Sequence, residues 1–165
     1  PEVPSSELTR RDGLLYRGQQ TQPFTGFMLE KYASGGMKSR SAVRAGVMDG
    51  LSEGWHTNGR LQVREHFRKG TSHGLREKWF ENGVKSSASS IAEGKHQGIF
   101  RRWHENGVLA EEVTMQQGEP HGVSRAFYPS GFLKTQATLQ NGNVVETKSW
   151  QDGELKANPD LASSK

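Results

Sequence analysis

Histidine is the residue type in this sequence that most readily suggests metal chemistry, because an imidazole nitrogen is a common zinc ligand. Six histidines are present, and two pairs hold equivalent positions 48 residues apart: His73 with His121, and His56 with His104. That separation spans two of the 24-residue repeats described below. In a stack of β-hairpins it corresponds to roughly 19 Å, since neighbouring strands lie about 4.8 Å apart. A zinc–ligand bond is only about 2 Å long, so we predict histidines in turns and strands and no metal site.

Motifs of the common catalytic and phosphate-binding sites are missing from the sequence. It contains no Gly-x-Ser-x-Gly nucleophile elbow, no P-loop and no dinucleotide fingerprint. His104-Glu105 is followed by Asn106-Gly107, and no second histidine follows on a helical face as a zinc protease requires. The absence of cysteine excludes disulfides, thiolate zinc sites and cysteine nucleophiles. The sequence therefore predicts a protein that is not an enzyme and has no catalytic residue, cofactor or cofactor-binding residue.

Aromatic and basic side chains form a second group, and these suit binding rather than catalysis. The candidate partner-binding residues are Arg76, Lys78, Phe80, Arg102, His104 and Tyr128. An aromatic and basic platform binds single-stranded nucleic acid through stacking and charge, whereas arginine and aromatic residues are also favoured at protein interfaces. A solvated sheet face with cross-strand pairs, such as Glu77 opposite Arg101, is a third interpretation of the same residues.

The charge balance favours a protein partner over a polyanion. The net charge is +4 and the isoelectric point is about 9.5, but acidic residues are interspersed throughout the chain. We therefore expect a module that binds or scaffolds a protein partner. Binding of nucleic acid, an anionic membrane or a cell-envelope polymer is the alternative. An open sheet also has unpaired edges, through which a second copy of the chain can pair.

Three columns of glycines repeat every 24 residues and account for 15 of the 20 glycines. The first column is Gly26, Gly50, Gly74, Gly98 and Gly122; the second is Gly35, Gly59, Gly83, Gly107 and Gly131; the third is Gly46, Gly70, Gly94, Gly118 and Gly142. Chains with such a short period fold as stacked supersecondary units. With only 32% hydrophobic residues, little material is available for a compact core.

The glycine columns predict turns between strands of about eight residues. Asn58-Gly59, Asn82-Gly83 and Asn106-Gly107 predict tight hairpin turns with positive φ at both central residues. The x-Gly-x-x-x-Gly segments predict a second, longer turn. The expected fold is all-β: an open, elongated, single-layer array of about five to six stacked antiparallel β-hairpins, forming a twisted, solenoid-like ribbon.

Aromatic residues recur after the first glycine column and are expected to form the structural core of the array. They are Trp55, Trp79, Trp103 and Phe127. An apolar residue directly after each glycine, as in Leu51 and Leu75, is expected to be buried too. Charged residues between these two columns interrupt the alternation of a regular strand. Either a β-bulge or a shallow, open core face explains the interruption.

The unit G-x-x-x-x-W-[HFY]-x-N-G-x-L, followed by a second strand and x-G-x-x-x-G, resembles the MORN-repeat variant family over roughly residues 14–153. Serine-rich residues 86–90 depart from the family pattern, as does Lys85, which replaces an apolar residue after the turn. The resemblance implies an elongated hairpin array that serves as a binding module or scaffold. It also implies a bacterial protein that is exported or antitoxin-like, as many members of the family are.

The period gives the expected organisation of the chain. A repeat domain is predicted at residues 13–156, with units near 26–49, 50–73, 74–97, 98–121 and 122–145 and partial units at both ends. Residues 1–12 and 157–165 are polar and are expected to be mobile. No apolar stretch is long enough to span a bilayer. Because the sequence begins at Pro1, we expect it to start within a longer gene product. Export with a removed signal and a cytoplasmic location both stay open.

Overall fold

The computed structural model describes residues 1–155, which form strands and turns with one 3-10 turn at Ser5–Glu7 and no α-helix. The strands are β1 Glu2–Pro4, β2 Leu8–Arg11, β3 Leu14–Arg17, β4 Gly26–Lys31, β5 Met37–Arg44, β6 Val47–Trp55, β7 Leu61–Arg68, β8 Thr71–Ser72, β9 Gly74–Trp79, β10 Lys85–Ala92, β11 Lys95–Trp103, β12 Leu109–Gln116, β13 Glu119–Phe127, β14 Leu133–Gln140 and β15 Asn143–Ser149. The all-β fold class is confirmed: the sheet is open and is built from antiparallel hairpins. The described chain contains no helix with the length and apolar character needed to cross a bilayer.

Two compact units divide the chain, one made of Pro1–Gly83 with Ile91–Gly94 and the other of Val84–Ser90 with the described residues from Lys95 onward. In the first unit the strand order is β1-β4-β5-β6-β7-β9, with β8 also paired to β7 and β2 paired to β3 in a separate hairpin. In the second unit the order is β11-β12-β13-β14-β15. Most strands in these orders lie beside the strand that precedes or follows them in the chain, whereas β1 lies beside β4. The pairing is antiparallel except where β1 runs parallel to β4.

The tight turns lie at the third glycine column, not at the Asn-Gly pairs. Ala45 and Gly46 have φ values of 47° and 81°, and Lys69 and Gly70 have values of 49° and 84°. Positive φ at two successive residues is the geometry of a type I′ hairpin turn. The prediction that Asn-Gly makes this turn is wrong, because Gly59 has positive φ and Asn58 does not.

The hydrogen bonds of the asparagine side chain explain why asparagine stands in the Asn-Gly turn although this turn is not the type I′ turn. Asn58 Oδ1 accepts the backbone N–H of Arg60 at 3.0 Å, while Asn58 Nδ2 donates to the carbonyl of Glu81 in the following repeat at 2.9 Å. Asn106 repeats both bonds with Val108 and Pro129, at 3.0 and 2.9 Å. At both positions the asparagine side-chain amide closes its own turn and ties that turn to the next one.

The first strands contain two irregularities, and one of them is a wide bulge at the first glycine column. Between β5 and β6, Ser41 pairs with Ser52 and Val43 pairs with Met48, so residues 49–51 stand opposite Ala42 alone. The same arrangement occurs between β12 and β13, where residues 121–123 stand opposite residue 114. This bulge adds two residues and so keeps the alternation. A second register shift, between Gly54 and Trp55, brings Trp55 to the inward face and leaves Leu51 and Glu53 on the outward one. Of the two interpretations of these strands, the β-bulge is confirmed.

The glycine at the centre of the bulge gives it this width. Gly50 and Gly122 have φ values of 115° and 76°, which L-amino acids with a side chain rarely adopt. Glu146 takes the glycine position in the last repeat, and there Thr138 pairs with Glu146 while Leu139 pairs with Val144. A single extra residue is left on β15, because a residue with a Cβ does not take the wider path.

Half of the buried apolar side chains of the described chain lie on the second strand of a hairpin. Val43 on β5, Ile91 on β10, Val113 on β12 and Leu133 on β14 are at most 8% exposed. In the predicted aromatic column Phe127 is buried, but Trp55, Trp79 and Trp103 are only half-buried. The apolar residues after the first-column glycines were expected to be buried, and this is wrong for Leu75, which is 49% exposed. Leu75 lies two residues before Glu77, which pairs with the exposed Arg64, so both residues face away from the core.

The N-terminal segment differs from the expectation of a mobile end. Within residues 1–12, β1 pairs with β4 and β2 pairs with β3. Val3 is fully buried in a cluster with Leu15, Phe24 and Val43. Leu8 packs against the same cluster, so two apolar residues hold a segment that is otherwise mostly polar. The predicted mobile tail at residues 157–165 lies outside the described residues.

Replacement of Gly46 by alanine should destabilise the first unit more than the same change at Gly59. Both glycines have φ near +80°, so both substitutions carry about 1 kcal/mol of backbone strain. A Cβ at Gly46 would also lie 2.8 Å from Leu14 Cβ and 3.0 Å from Leu15 N, whereas one at Gly59 would meet nothing within 4 Å. We expect Gly46→Ala to cost a further 1–3 kcal/mol or so in urea-induced unfolding. Equal losses for the two variants would contradict the packing of the β3 strand on this turn.

Candidate partner-binding surface

In the first unit, Arg76, Lys78 and Phe80 have three different environments. Arg76 is held by Glu65, with its Nη2 2.7 Å and its Nε 2.8 Å from Glu65 Oε2. Lys78 is exposed, and its side chain makes no hydrogen bond or ion pair within the described chain. Phe80 is half-buried at the turn after β9. Arg76 and Lys78 line one open groove of about 390 Å³ together with Gln62, Val63 and Glu65.

In the second unit, Arg102, His104 and Tyr128 all have internal partners. Arg102 Nε donates to Glu111 Oε2 at 2.9 Å. His104 Nε2 is 2.8 Å from the backbone oxygen of Phe127, and the Tyr128 hydroxyl donates to the backbone oxygen of Trp150 at 2.9 Å. These side chains carry the hydrogen-bonding groups that a ligand would need, but those groups are already bound within the protein.

The column that contains His104 and Tyr128 forms a ladder between successive repeats. Tyr32 donates to the Trp55 oxygen at 2.7 Å, and His56 Nε2 is 2.8 Å from the Trp79 oxygen. In each case the side chain reaches the backbone carbonyl of the aromatic residue that follows 22 or 23 positions later. Phe80 occupies the same column but has no polar atom to donate. The column predicted as a binding platform is therefore largely a structural connection.

A second ladder connects the tight turns. In each repeat the N–H of the third-column glycine donates to a carbonyl 22 residues earlier, as in Gly70 to Met48 at 2.7 Å and Gly118 to His96 at 2.9 Å. The remaining members are Gly46 to Phe24, Gly94 to Ser72 and Gly142 to Pro120. Both turn-bearing edges of each unit are thus tied from one repeat to the next, in addition to the hydrogen bonds between strands.

The face opposite the buried side chains, here called the outer face, has a row of alternating charges in each unit. In the second unit Arg101 pairs across the strands with Glu112, and Glu112 pairs with Arg125. Arg101 Nε lies 2.7 Å from Glu112 Oε2. In the first unit Arg40 pairs with Glu53, and Arg64 Nε lies 2.9 Å from Glu53 Oε1. Because positive and negative charges alternate along these rows, their fields largely cancel at a distance.

An apolar row runs beside the charges on the outer face of the second unit. Ile99 is 45% exposed and pairs with Thr114, and Val123 is 39% exposed and pairs with Thr138. Ile99 and Val123 lie two strands apart, or roughly 9–10 Å. Directly opposed residues of an antiparallel pair lie on one face, so these side chains form one surface with Arg101 and Arg125. This surface has an exposed apolar centre with arginines beside it.

The sequence contained a signal for this surface. Leu75, Ile99 and Val123 recur 24 residues apart directly after glycine, and a strand with regular alternation would bury them. The register shifts between Arg102 and Trp103 and between Ala126 and Phe127 place these apolar residues and the aromatic residues on opposite faces. Among the described residues, no group of three or more His, Asp, Glu or Cys side chains is placed to hold a metal ion.

Comparison with known proteins identifies one repeat. Residues 97–117 match the family model described as MORN repeat variant. The resemblance to this family is therefore confirmed over that segment, which includes most of β11, the following turn and β12. The chain matches no curated protein.

Replacement of Tyr128 by phenylalanine should destabilise the second unit although the ring is kept. The variant loses the hydrogen bond to the Trp150 carbonyl, and such a bond contributes about 1 kcal/mol to the free energy of unfolding. Tyr16→Phe is the matched control, because the Tyr16 hydroxyl makes no hydrogen bond within the described chain. We expect the control to change stability by less than about 0.5 kcal/mol in chemical denaturation. Equal effects of the two changes would refute a structural role for the Tyr128 hydroxyl.

Proposed function

We propose that this chain is a non-catalytic repeat module that binds a protein partner, and that the outer face of the second unit is the binding surface. The observation that carries the proposal is the exposed pair Ile99 and Val123, with Arg101 and Arg125 beside them. Protein interfaces combine an apolar centre with a polar rim, and arginine is enriched among the residues that contribute most affinity. The match to a MORN repeat variant supports a binding module over an enzyme.

A repeat array suits such a surface because each repeat places the same side-chain position on the same face. Each repeat adds one apolar residue next to one charged residue, so the surface grows with the number of repeats. A partner with exposed apolar side chains would complement Ile99 and Val123. Arg101, bound to Glu112, and Arg125, bound to Gln136, would form the polar border of this contact. Whether this role is antitoxin-like depends on the identity of that partner.

Polyanion binding is the second candidate, and it rests on Lys78 and Arg102. Lys78 is exposed and without an internal partner, and the side chain of Arg102 is 58% exposed although it is bound to Glu111. The alternating charge rows argue against it, because a polyanion-binding face concentrates one sign of charge. We therefore rank it below the protein partner.

Affinity purification from the native host, at low and at high salt, separates the two candidates. We expect a defined protein to stay bound at high salt, since apolar contacts do not depend on counterion release. Nucleic acid or lipid that is captured at low salt and lost at high salt would support the polyanion instead. Proteins captured at random would vary between repeats of the experiment.

Two sets of variants then locate the surface with the purified partner. Ile99→Thr combined with Val123→Thr removes apolar groups but keeps β-branched residues in the strands, so the sheet should persist. We expect this double variant to weaken binding at least tenfold, about 1.4 kcal/mol, by calorimetric titration. Lys78→Gln with Arg102→Gln is the control and should change the affinity less than twofold. The opposite result, loss with the glutamine pair alone, would move the site to the basic residues.

A further inference from the structure

The two ends of the strand order differ in whether they present a free backbone edge. β1 has three residues, runs parallel to β4 and ends at Pro4, whose ring nitrogen has no hydrogen to donate. β15 has seven residues, all of them exposed, and within the described chain it pairs with β14 alone. At about 3.3 Å per residue, its outer edge extends roughly 23 Å.

The direction of the backbone groups on β15 follows from one hydrogen bond. Trp150 N–H donates to the Lys134 carbonyl at 3.0 Å, so Trp150 directs its backbone groups toward β14. The register from Thr135–Ser149 to Thr138–Glu146 has no shift. Because the direction alternates along a strand, Thr147 and Ser149 direct their N–H and C=O groups away from β14. Such outward groups are a template for another strand.

The side chains on this edge are self-complementary. Glu146 and Lys148 flank Thr147, and their charged atoms are 3.3 Å apart in the monomer. If two β15 strands pair antiparallel about a two-fold axis through Thr147, Glu146 lies opposite the partner's Lys148. Lys148 then lies opposite the partner's Glu146, so two pairs of opposite charges face each other across the axis. Directly opposed unlike charges stabilise an antiparallel pair.

We infer that β15 is a dimerisation edge, at which two copies of this chain pair antiparallel in a register centred on Thr147. Thr147 and the partner's Thr147 exchange two backbone hydrogen bonds, and Ser149 lies opposite the partner's Val145. The contact is isologous and therefore closes as a dimer. Head-to-tail growth is disfavoured because the three-residue β1 ends in proline and offers no matching edge.

The size of the contact sets the expected strength of the dimer. A seven-residue edge contact lies at or below the small end of specific interfaces, about 1,200 Å². We therefore expect a dimer that dissociates on dilution. Val144 and Val145 are 60% and 56% exposed, and pairing at this edge would reduce their exposure. The inference is independent of the partner proposed for the outer face, since β15 is not among the strands that carry Ile99 and Val123.

Charge reversal tests the register. Sedimentation equilibrium of the full chain over a range of concentrations should give a monomer–dimer equilibrium. Glu146→Lys and Lys148→Glu each place like charges across the two-fold axis, and each should raise the dimer dissociation constant at least tenfold. The double variant with both changes restores unlike pairs and should restore dimerisation to within about threefold of the original. A wild-type chain that stays monomeric at all concentrations would overturn the inference, as would a double variant that is no better than the singles.

A cysteine cross-link tests the position of the axis, and the natural chain has no cysteine to interfere. Residues opposed to themselves across the axis lie about 5.5 Å apart between Cα atoms, within the range that a disulfide bridges. Thr147→Cys should therefore form covalent dimers under mild oxidation, whereas Asn143→Cys, on the same strand but far from the axis, should not. Efficient cross-linking at residue 143 together with none at 147 would disprove the proposed register. Circular dichroism of the reduced variants would show that both keep the sheet.

Discussion

The bonds between successive repeats are the constraint on which the rest of this structure depends. Each hairpin has little apolar material, since only 32% of the chain is hydrophobic, and an isolated hairpin is marginal in water. Stability must therefore come from joining one hairpin to the next. The strands supply one set of hydrogen bonds, and two further ladders connect the turns at both edges of each unit. These ladders require a constant repeat length of 24 residues, because the donor in each repeat must lie next to the backbone carbonyl that it binds in the neighbouring repeat.

This constraint decides which polar side chains are available for function. Three side chains have polar groups that suit a binding site, but each is hydrogen-bonded to a backbone carbonyl of the following repeat. They are His104, Asn106 and Tyr128. Arg76 and Arg102 are likewise engaged by Glu65 and Glu111. The surface that stays open consists of side chains the ladders do not use. It is the outer face, where the register shift before each aromatic residue leaves an apolar residue and a charged one exposed side by side.

The ends of the strand order follow the same logic. A repeat array needs a cap wherever its last strand would otherwise expose an unpaired edge. At the N-terminal side, buried Val3 anchors β1, which covers β4 with a short parallel strand. On the C-terminal side Glu146 replaces the bulge glycine, and β15 continues as an exposed strand with opposite charges on either side of Thr147. The loss of the repeat consensus at this strand marks a change of role, from joining repeats to presenting an edge.

The sequence by itself determined the period, the all-β class and the antiparallel hairpins, because glycine at fixed intervals is a local backbone requirement. It also predicted a bulge as one of two explanations for the charged residues between apolar columns. It did not determine which turn is tight. The role of Asn58 is a side-chain hydrogen bond to the Glu81 carbonyl in the next repeat, and its φ is not positive. Nor did it determine that Leu75, Ile99 and Val123 are exposed or that His104 and Tyr128 are internally bound. Those outcomes depend on carbonyls 22 or 23 residues away and on the register across a bulge, and only the tertiary structure brings these groups together.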